Sequence, residues 1–367
     1  MKDSYIYYGT KTTPQEVEEF IEHMMDVNHA LQQDNKPGTP LCVWGQHGIG
    51  KTQMIEAIAR KKSYKFVSIS PAQFEEMGDL LGMPKIIDDK TVFAAPSWVP
   101  DSEGPGILLI DDINRADDRI LRGIMQLLQN YKLVSWKLPP DWHIIATANP
   151  DGGDYSVTPM DNAILTRMMH ITLTFDHKEW ALWAENQGID SRGIDFVLTY
   201  PEIVDGERTT PRTLVQFFDS ISKIRDLKAD LPLVQLIADA CLDASTTATF
   251  IAFVKDDLSE LISIKDILDA KDFAKEVEKP LKKRVKKKSL RVDILATLCT
   301  RLLNYLVINN IKPDKNQLKN IKSFILLDFL PNDLRLITAQ ELVDSKNRHL
   351  KVIMKDKEIA FLLLAKM

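Results

Sequence analysis

The sequence predicts an α/β fold: a parallel sheet flanked by helices in the first half of the chain, followed by an all-helical second half. Three observations carry this expectation. The short apolar run Leu41-Cys42-Val43-Trp44 leads into a glycine-rich turn and then at once into a helical pattern over residues 53–60. Residues 106–110 are continuously apolar, as a strand buried on both faces of a parallel sheet must be, and they end in two carboxylates, Asp111 and Asp112. From residue 177 onward the apolar residues recur at helical spacing.

The glycine-rich turn, Gly45-Gln46-His47-Gly48-Ile49-Gly50-Lys51-Thr52, fits G-x-x-x-x-G-K-[ST] at every fixed position and lies between a strand and a helix, the context the motif needs. Glycines let the backbone turn its N–H groups inward around a phosphate chain. The N-terminus of the following helix adds a partial positive charge beneath it. Gly45, Gln46, His47, Gly48, Ile49, Gly50, Lys51 and Thr52 are therefore expected to line a bound nucleotide. In this pattern Lys51 reaches the β- and γ-phosphates and the Thr52 hydroxyl holds Mg²⁺. Asp111 and Asp112 stand at the C-terminal end of a strand, where ligands sit in an open α/β sheet. Asp111 is expected on Mg²⁺, directly or through water. Asp112 is expected to orient or deprotonate an attacking water.

The 367 residues suffice for two or three domains. Hydrophobic residues at 44% and charged residues at 27% are ordinary values for a soluble globular chain. No apolar run approaches the roughly 20 residues of a membrane span. The start, Met1-Lys2-Asp3-Ser4, lacks the apolar core of a signal peptide, so a cytoplasmic location is expected. Cys42, Cys241 and Cys299 are scattered in apolar contexts and read as buried small residues, not as a disulfide framework or zinc site. A net charge of −5 argues against a nucleic-acid partner, a local basic patch aside.

Taken in order, residues 11–33 predict a helix, with Thr13 as N-cap, Pro14 in its first turn and apolar Val17, Phe20, Ile21, Met24 and Met25. Residues 34–40 are a turn cluster, and 65–70 a second strand. Residues 85–87 and 90–93, parted by Asp88-Asp89, predict a hairpin inserted into a helix. A helix over 117–131 and a strand pair over 133–138 follow. The strand at 142–148 ends in Asn149, placed to hydrogen-bond the γ-phosphate or the water. Residues 161–169 read as a helix carrying Arg167, and 171–175 as a last strand. Arg212 stands at a helix start. The run from Lys279 to Arg291 is strongly basic and reads as a solvated linker or helix face, with no aromatics interleaved for base stacking. Amphipathic helices complete the chain from 294 to 367.

In this order GQHGIGKT (45–52), LLIDDINRA (108–116), ATANP (146–150), ILTR (164–167) and TPR (210–212) resemble the MoxR family of AAA+ ATPases. The resemblance covers residues 12–268, and weakly the rest. It implies an AAA+ P-loop domain over 1–176, a helical lid over 177–268, and a basic linker with a C-terminal helical extension over 269–367. Asn149 matches the family's sensor 1, Arg167 its arginine finger and Arg212 its sensor 2, which also touches the nucleotide. ATP and Mg²⁺ are the implied cofactors. The implied activity is ATP hydrolysis in a homo-oligomeric ring, a hexamer by analogy. Its purpose in the family is to remodel, assemble or activate a partner protein, commonly one with a von Willebrand A domain. The family usually carries Asp-Glu where this chain has Asp111-Asp112. The missing methylene can set the Asp112 carboxylate about 1 Å further from the water, a misplacement that can cost about 10²-fold in rate. Two other readings stay open: a DNA-directed AAA+ motor, for which the 279–291 run speaks, and an ATP-gated scaffold with little turnover, for which Asp112 speaks.

Overall fold

The computed structural model describes residues 6–134, 136–151, 157–205, 208–255, 262–285, 290–345 and 347–364. They fall into two compact units, Met1–Asp176 and His177–Met367.

In chain order the first unit holds β1 (Thr10–Thr12), α1 (Pro14–Gln33), β2 (Leu41–Trp44), α2 (Lys51–Lys62), β3 (Lys65–Ile69), α3 (Met77–Leu81), β4 (Met83–Ile87), β5 (Lys90–Ala94), β6 (Gly106–Ile110), α4 (Asp118–Asn130), β7 (Trp142–Ala148), α5 (Asn162–Leu165) and β8 (Met169–Leu173). Six strands form one sheet in the order β1-β8-β2-β7-β6-β3, with every neighbouring pair parallel. β4 and β5 form a separate antiparallel hairpin.

The continuous apolar runs of β2 and β6 are buried along their whole length, and so is β7, which carries His143 and Thr147 among its apolar residues. Alternate residues serve two different cores. Cys42, Trp44, Leu108, Ile110, Ile144 and Ala146 face a cluster built with Ile120, Leu121, Ile124 and Leu127 of α4. Leu41, Val43, Ile107, Leu109 and Ile145 face a cluster built with Val17, Ile21 and Met25 of α1 and Ile55 and Ile58 of α2. Each fully buried aliphatic side chain contributes about 1.5–3 kcal/mol of transfer free energy, so a sheet covered on both faces is the stable solution for such strands.

Several local expectations shift. Helix α1 starts at Pro14 because Thr13 caps it in a capping box with Glu16. The residues before it are extended, and Thr10, Lys11 and Thr12 pair with Ile171, Thr172 and Leu173 at the sheet edge. Among the described residues, the 133–138 strand pair shows as the antiparallel bridge Lys132 to Lys137, with the Leu138 N–H bonded to the Tyr131 carbonyl and the Leu133 N–H to the Trp136 carbonyl, each at 2.9 Å, while Leu133, Trp136 and Leu138 are buried. Helix α5 stops at Leu165 because the chain must enter β8, whose Met169 N–H already bonds the Pro40 carbonyl at 2.9 Å. The last strand accordingly lies two residues earlier than expected. The β4–β5 hairpin follows the short α3, and no helix resumes over 95–105, where Pro96, Pro100 and Pro105 interrupt the chain. Cys42 and Cys299 are buried as expected, whereas Cys241 is half-buried.

The second unit is helical: α6 (His177–Gln187), α7 (Ser191–Thr199), α8 (Pro211–Ile221), α9 (Leu231–Cys241), α10 (Ala244–Lys255), α11 (Ile264–Asp269), α12 (Lys279–Val285), α13 (Val292–Ile308), α14 (Lys315–Ile325), α15 (Asn332–Asp344) and α16 (Lys357–Leu364). Phe196, Phe217, Phe250 and Phe253 form its aromatic centre, with Phe250 edge-on to Phe196 and Phe217 at 4.9 and 4.8 Å between ring centroids. Within the run expected as a solvated linker or helix face, residues 279–285 are helix α12, with Leu281 and Val285 buried; Lys286, Lys287 and Lys288 lie outside the described residues.

A buried ion triad ties α13 to α6 and α7. The Arg301 guanidinium pairs with Glu185 and, at 2.5 Å, with Asp195, and the side chains are only 11–15% exposed. Burial pushes both carboxyls above the usual range, against the pull of Arg301. Removing the arginine would strand two buried acids. Arg301→Ala is expected to destabilise the chain by about 3–5 kcal/mol in denaturant unfolding; a change below about 1 kcal/mol, the range of an exposed pair, would contradict this assignment.

Candidate functional site

Strand order places the functional groups. β7 lies between β2 and β6, with Trp44 opposite Ala148 and Ile110 opposite Ala146. β2 and β7 therefore end level, with β6 ending two residues short of them, and the chain continues from these ends into Gly45 after β2, Asp111 and Asp112 after β6, and Asn149 after β7. The Gly45 N–H still bonds the Ala148 carbonyl at 3.2 Å, and the Asp111 N–H bonds the Ile69 carbonyl at 2.8 Å.

The loop between β2 and α2 turns through left-handed backbone at Gly48 (φ 71°) and Gly50 (φ 99°), conformations that exclude ordinary side chains. Gly50 is also the N-cap of α2, so that helix begins with no side-chain cap, unlike α1 under Thr13 and α4 under Asp117. Its first-turn amides are thus left to the loop and to whatever anion the loop holds. Gln46 and His47 are exposed at the rim, Gly48, Ile49 and Gly50 are half-buried, and Gly45 is buried.

Lys51 is 6% exposed. Its ammonium donates to the carbonyls of Gly45 at 2.8 Å and Gln46 at 3.1 Å, and to Asn149 Oδ1 at 3.1 Å. Beside it, the Thr52 hydroxyl donates to Asp111 Oδ1 at 2.7 Å. The Thr147 hydroxyl donates to the same Asp111 oxygen at 2.6 Å and accepts the Asp112 N–H at 2.8 Å. Asp112 has left-handed backbone (φ 50°, ψ 50°), a sparsely populated state for a residue with a side chain. One of its carboxylate oxygens accepts from Asn149 Nδ2 at 2.9 Å, and the other faces Arg115 Nε at 3.2 Å. Asn149 thus bridges the buried ammonium and the second carboxylate.

The donor set fits a magnesium ion shared with phosphates. A hydroxyl and one carboxylate are in contact, and among the described residues no group of three or more His, Cys, Asp or Glu side chains offers a self-sufficient metal cage. Mg²⁺ is commonly held by one or two protein oxygens plus water and substrate phosphates. The loop fits the phosphates themselves, through an uncapped helix start and a lysine aimed back into the turn.

The structure brings Lys51, Thr52, Asp111, Asp112 and Asn149 into one hydrogen-bonded cluster. Arg167 is held elsewhere: its guanidinium donates to Gln129 Oε1 of α4 at 3.1 and 3.0 Å and to the Ala163 carbonyl. Arg212 is exposed in the first turn of α8, in the second unit, where Thr210 caps the helix in a box with Thr213 and Pro211 precedes it. Two buried polar residues escaped the sequence reading. Thr147 interrupts the apolar pattern of β7, the one signal that could have marked it. Asn114, wholly buried two residues beyond Asp112, stands in the LLIDDINRA motif, but the motif assigns it no role and its partners in space do.

Residues 40–168 match the family model described as the AAA domain of the dynein-related subfamily. The chain is 22% identical to Midasin of Giardia intestinalis over 169 residues, 43% of this chain and 4% of that protein. It is 28% identical to the ATP-dependent zinc metalloprotease FtsH of Aquifex aeolicus over 106 residues, 29% of this chain and 16% of that protein. The chain thus spans a small part of the length of these relatives. Among solved structures, the Thermotoga maritima RuvB Holliday junction branch migration motor is similar at a TM-score of 0.35 and 13% identity, over 68% of this chain and 74% of that one. The first unit, a parallel sheet flanked by helices, has the AAA+ P-loop fold, and its residues 40–168 are similar to the dynein-related AAA domain.

Proposed function

We propose that the chain is a MoxR-type AAA+ ATPase that hydrolyses ATP in a ring-shaped oligomer and uses the cycle to remodel, assemble or activate a partner protein. The observation that carries the hydrolytic reading is the convergence of Lys51, Thr52, Asp111, Asp112 and Asn149 at the ends of three adjacent strands. The MoxR assignment, the hexamer and a partner with a von Willebrand A domain rest on the sequence motifs.

Bound Mg²⁺ would neutralise charge on the β- and γ-phosphate oxygens, with Thr52 and Asp111 as its protein ligands. Amides of residues 45–52 would wrap the phosphates, and Lys51 would donate to them from a site already enclosed by protein oxygens. Asp112 would take the proton of the attacking water on a carboxylate oxygen. Asn149 would orient that water or the γ-phosphate, since its amide already touches both the lysine and the carboxylate. Arg167, whose hydrogen-bond partners lie outside this cluster, would serve the site of a neighbouring copy, where an arginine supplied in trans is worth about 10³–10⁵ in rate. Arg212 is assigned to the phosphates by its TPR motif. Loss of the γ-phosphate would move the β4–β5 hairpin, which exposes Met83 and Ile86 at 71% and 78%, a surface suited to a protein partner.

One observation favours a slower variant of this reading, the nucleotide-gated scaffold. Asp112 is a methylene shorter than glutamate, and both its oxygens are engaged, by Asn149 and Arg115.

Lys51→Ala is expected to abolish ATP binding in a nucleotide titration. Arg167→Ala is expected to bind ATP normally and to lose hydrolysis by about 10³-fold or more in a phosphate-release assay. Equal loss of ATP binding in Arg167→Ala would contradict its role in trans. If the reach of Asp112 limits turnover, Asp112→Glu is expected to raise the rate by up to about 10²-fold; a slower Asp112→Glu variant would show a pocket fitted to the shorter acid.

A further inference from the structure

We infer that Asn114 is a positioning residue of the hydrolytic site, acting through Asn149; the inference rests on the ATPase reading above. Asn114 is wholly buried on the 3-10 turn Ile113–Arg115 that follows Asp112. Its side-chain amide grips the Asn149 peptide twice. Nδ2 donates to the Asn149 carbonyl at 2.8 Å, and the Asn149 N–H donates to Oδ1 at 3.1 Å. This is the pair of bonds a neighbouring strand would give, supplied where β7 has ended and Pro150 follows. The pair has one polarity. Turning the amide over would set N–H against N–H and oxygen against oxygen, so the side chain fixes the direction of the Asn149 peptide as well as its place.

Asn114 is itself held. Its carbonyl accepts the Thr158 N–H at 2.7 Å, and the Thr158 hydroxyl donates to the Ala116 carbonyl at 2.8 Å. Its Nδ2 also lies 3.4 Å from Oδ1 of Asp151, a buried residue paired with Ile6 in an antiparallel bridge. These partners of Asn114 are outside the phosphate loop. Asn149, by contrast, accepts from Lys51 and donates to Asp112 through its side chain. An error of about 1 Å in the Asn149 peptide is therefore passed to both groups, and a misplacement of that size can cost about 10²-fold in rate. Asn114 sets the aim of the side chain that reads the phosphate and the water, without touching either.

The test is a double-mutant cycle on the full chain, with steady-state ATP hydrolysis and separately measured ATP affinity for Asn114→Ala, Asn149→Ala and the double variant. Asn114→Ala is expected to lower kcat by about 10- to 10²-fold while ATP affinity stays within about threefold of wild type. The double variant is expected to be no slower than Asn149→Ala alone, because the two residues act as one unit. Losses that multiply in the double variant, or a loss of affinity matching the loss of kcat, would overturn the inference. If Asn114→Ala does not fold, Asn114→Asp, equal in size but unable to donate when ionised, is read by the same cycle with the same outcomes. A wild-type chain that binds no ATP would overturn the ATPase reading and this inference with it. A wild type that turns over ATP while the cycle is additive overturns the inference alone.

Discussion

A lysine ammonium buried at the C-terminal end of a parallel sheet is the constraint around which the first unit is arranged. Taking such a charge out of water is costly unless its hydrogens are satisfied. Here Lys51 is enclosed by two carbonyls of its own loop and by the amide oxygen of Asn149. The loop carbonyls are available because left-handed glycines fold the chain back over the start of α2. Asn149 is available because β7 runs directly beside β2 and ends level with it. A sheet with another strand order would leave the ammonium without that third partner. The enclosed ammonium is also set to serve a phosphate chain: its hydrogens are held in direction by fixed dipoles.

The two carboxylates after β6 are tied to the same frame in different ways. Asp111 shares one oxygen between the hydroxyls of Thr52 and Thr147, which leaves its charge beside the loop. Asp112 is turned by left-handed backbone and held by Asn149 and Arg115. Neighbouring acids in one sequence thus receive separate environments, the usual route by which similar groups take different tasks.

Much of this was legible in the residues. The apolar runs of β2 and β6, and the mainly apolar β7, announce a doubly covered sheet. The loop motif announces its own backbone, since glycines at 48 and 50 are what left-handed turns require. What escaped is non-local. β1 has three residues, too few to show alternation, and exists because β8 offers an edge 161 residues away in sequence, as in the Thr10–Ile171 pair. The 133–138 segment pairs only over a few residues, and its Leu133, Trp136 and Leu138 are buried in the core. Asn114 lies in the LLIDDINRA motif, but its role is set by its bonds to the Asn149 backbone. In the second unit, Arg301 of α13 reaches the acids of α6 and α7, a pairing that helical periodicity cannot reveal.

The central claim is that backbone amides of the loop and of the first turn of α2 grip a triphosphate together with Lys51. Hydrogen exchange of the full chain, with and without ATP and magnesium, tests it most directly. The account predicts marked slowing of the amides of residues 47–53 on nucleotide addition, and no such slowing in Lys51→Ala. Unchanged exchange across 47–53 at millimolar ATP, or equal protection in the variant, would contradict it.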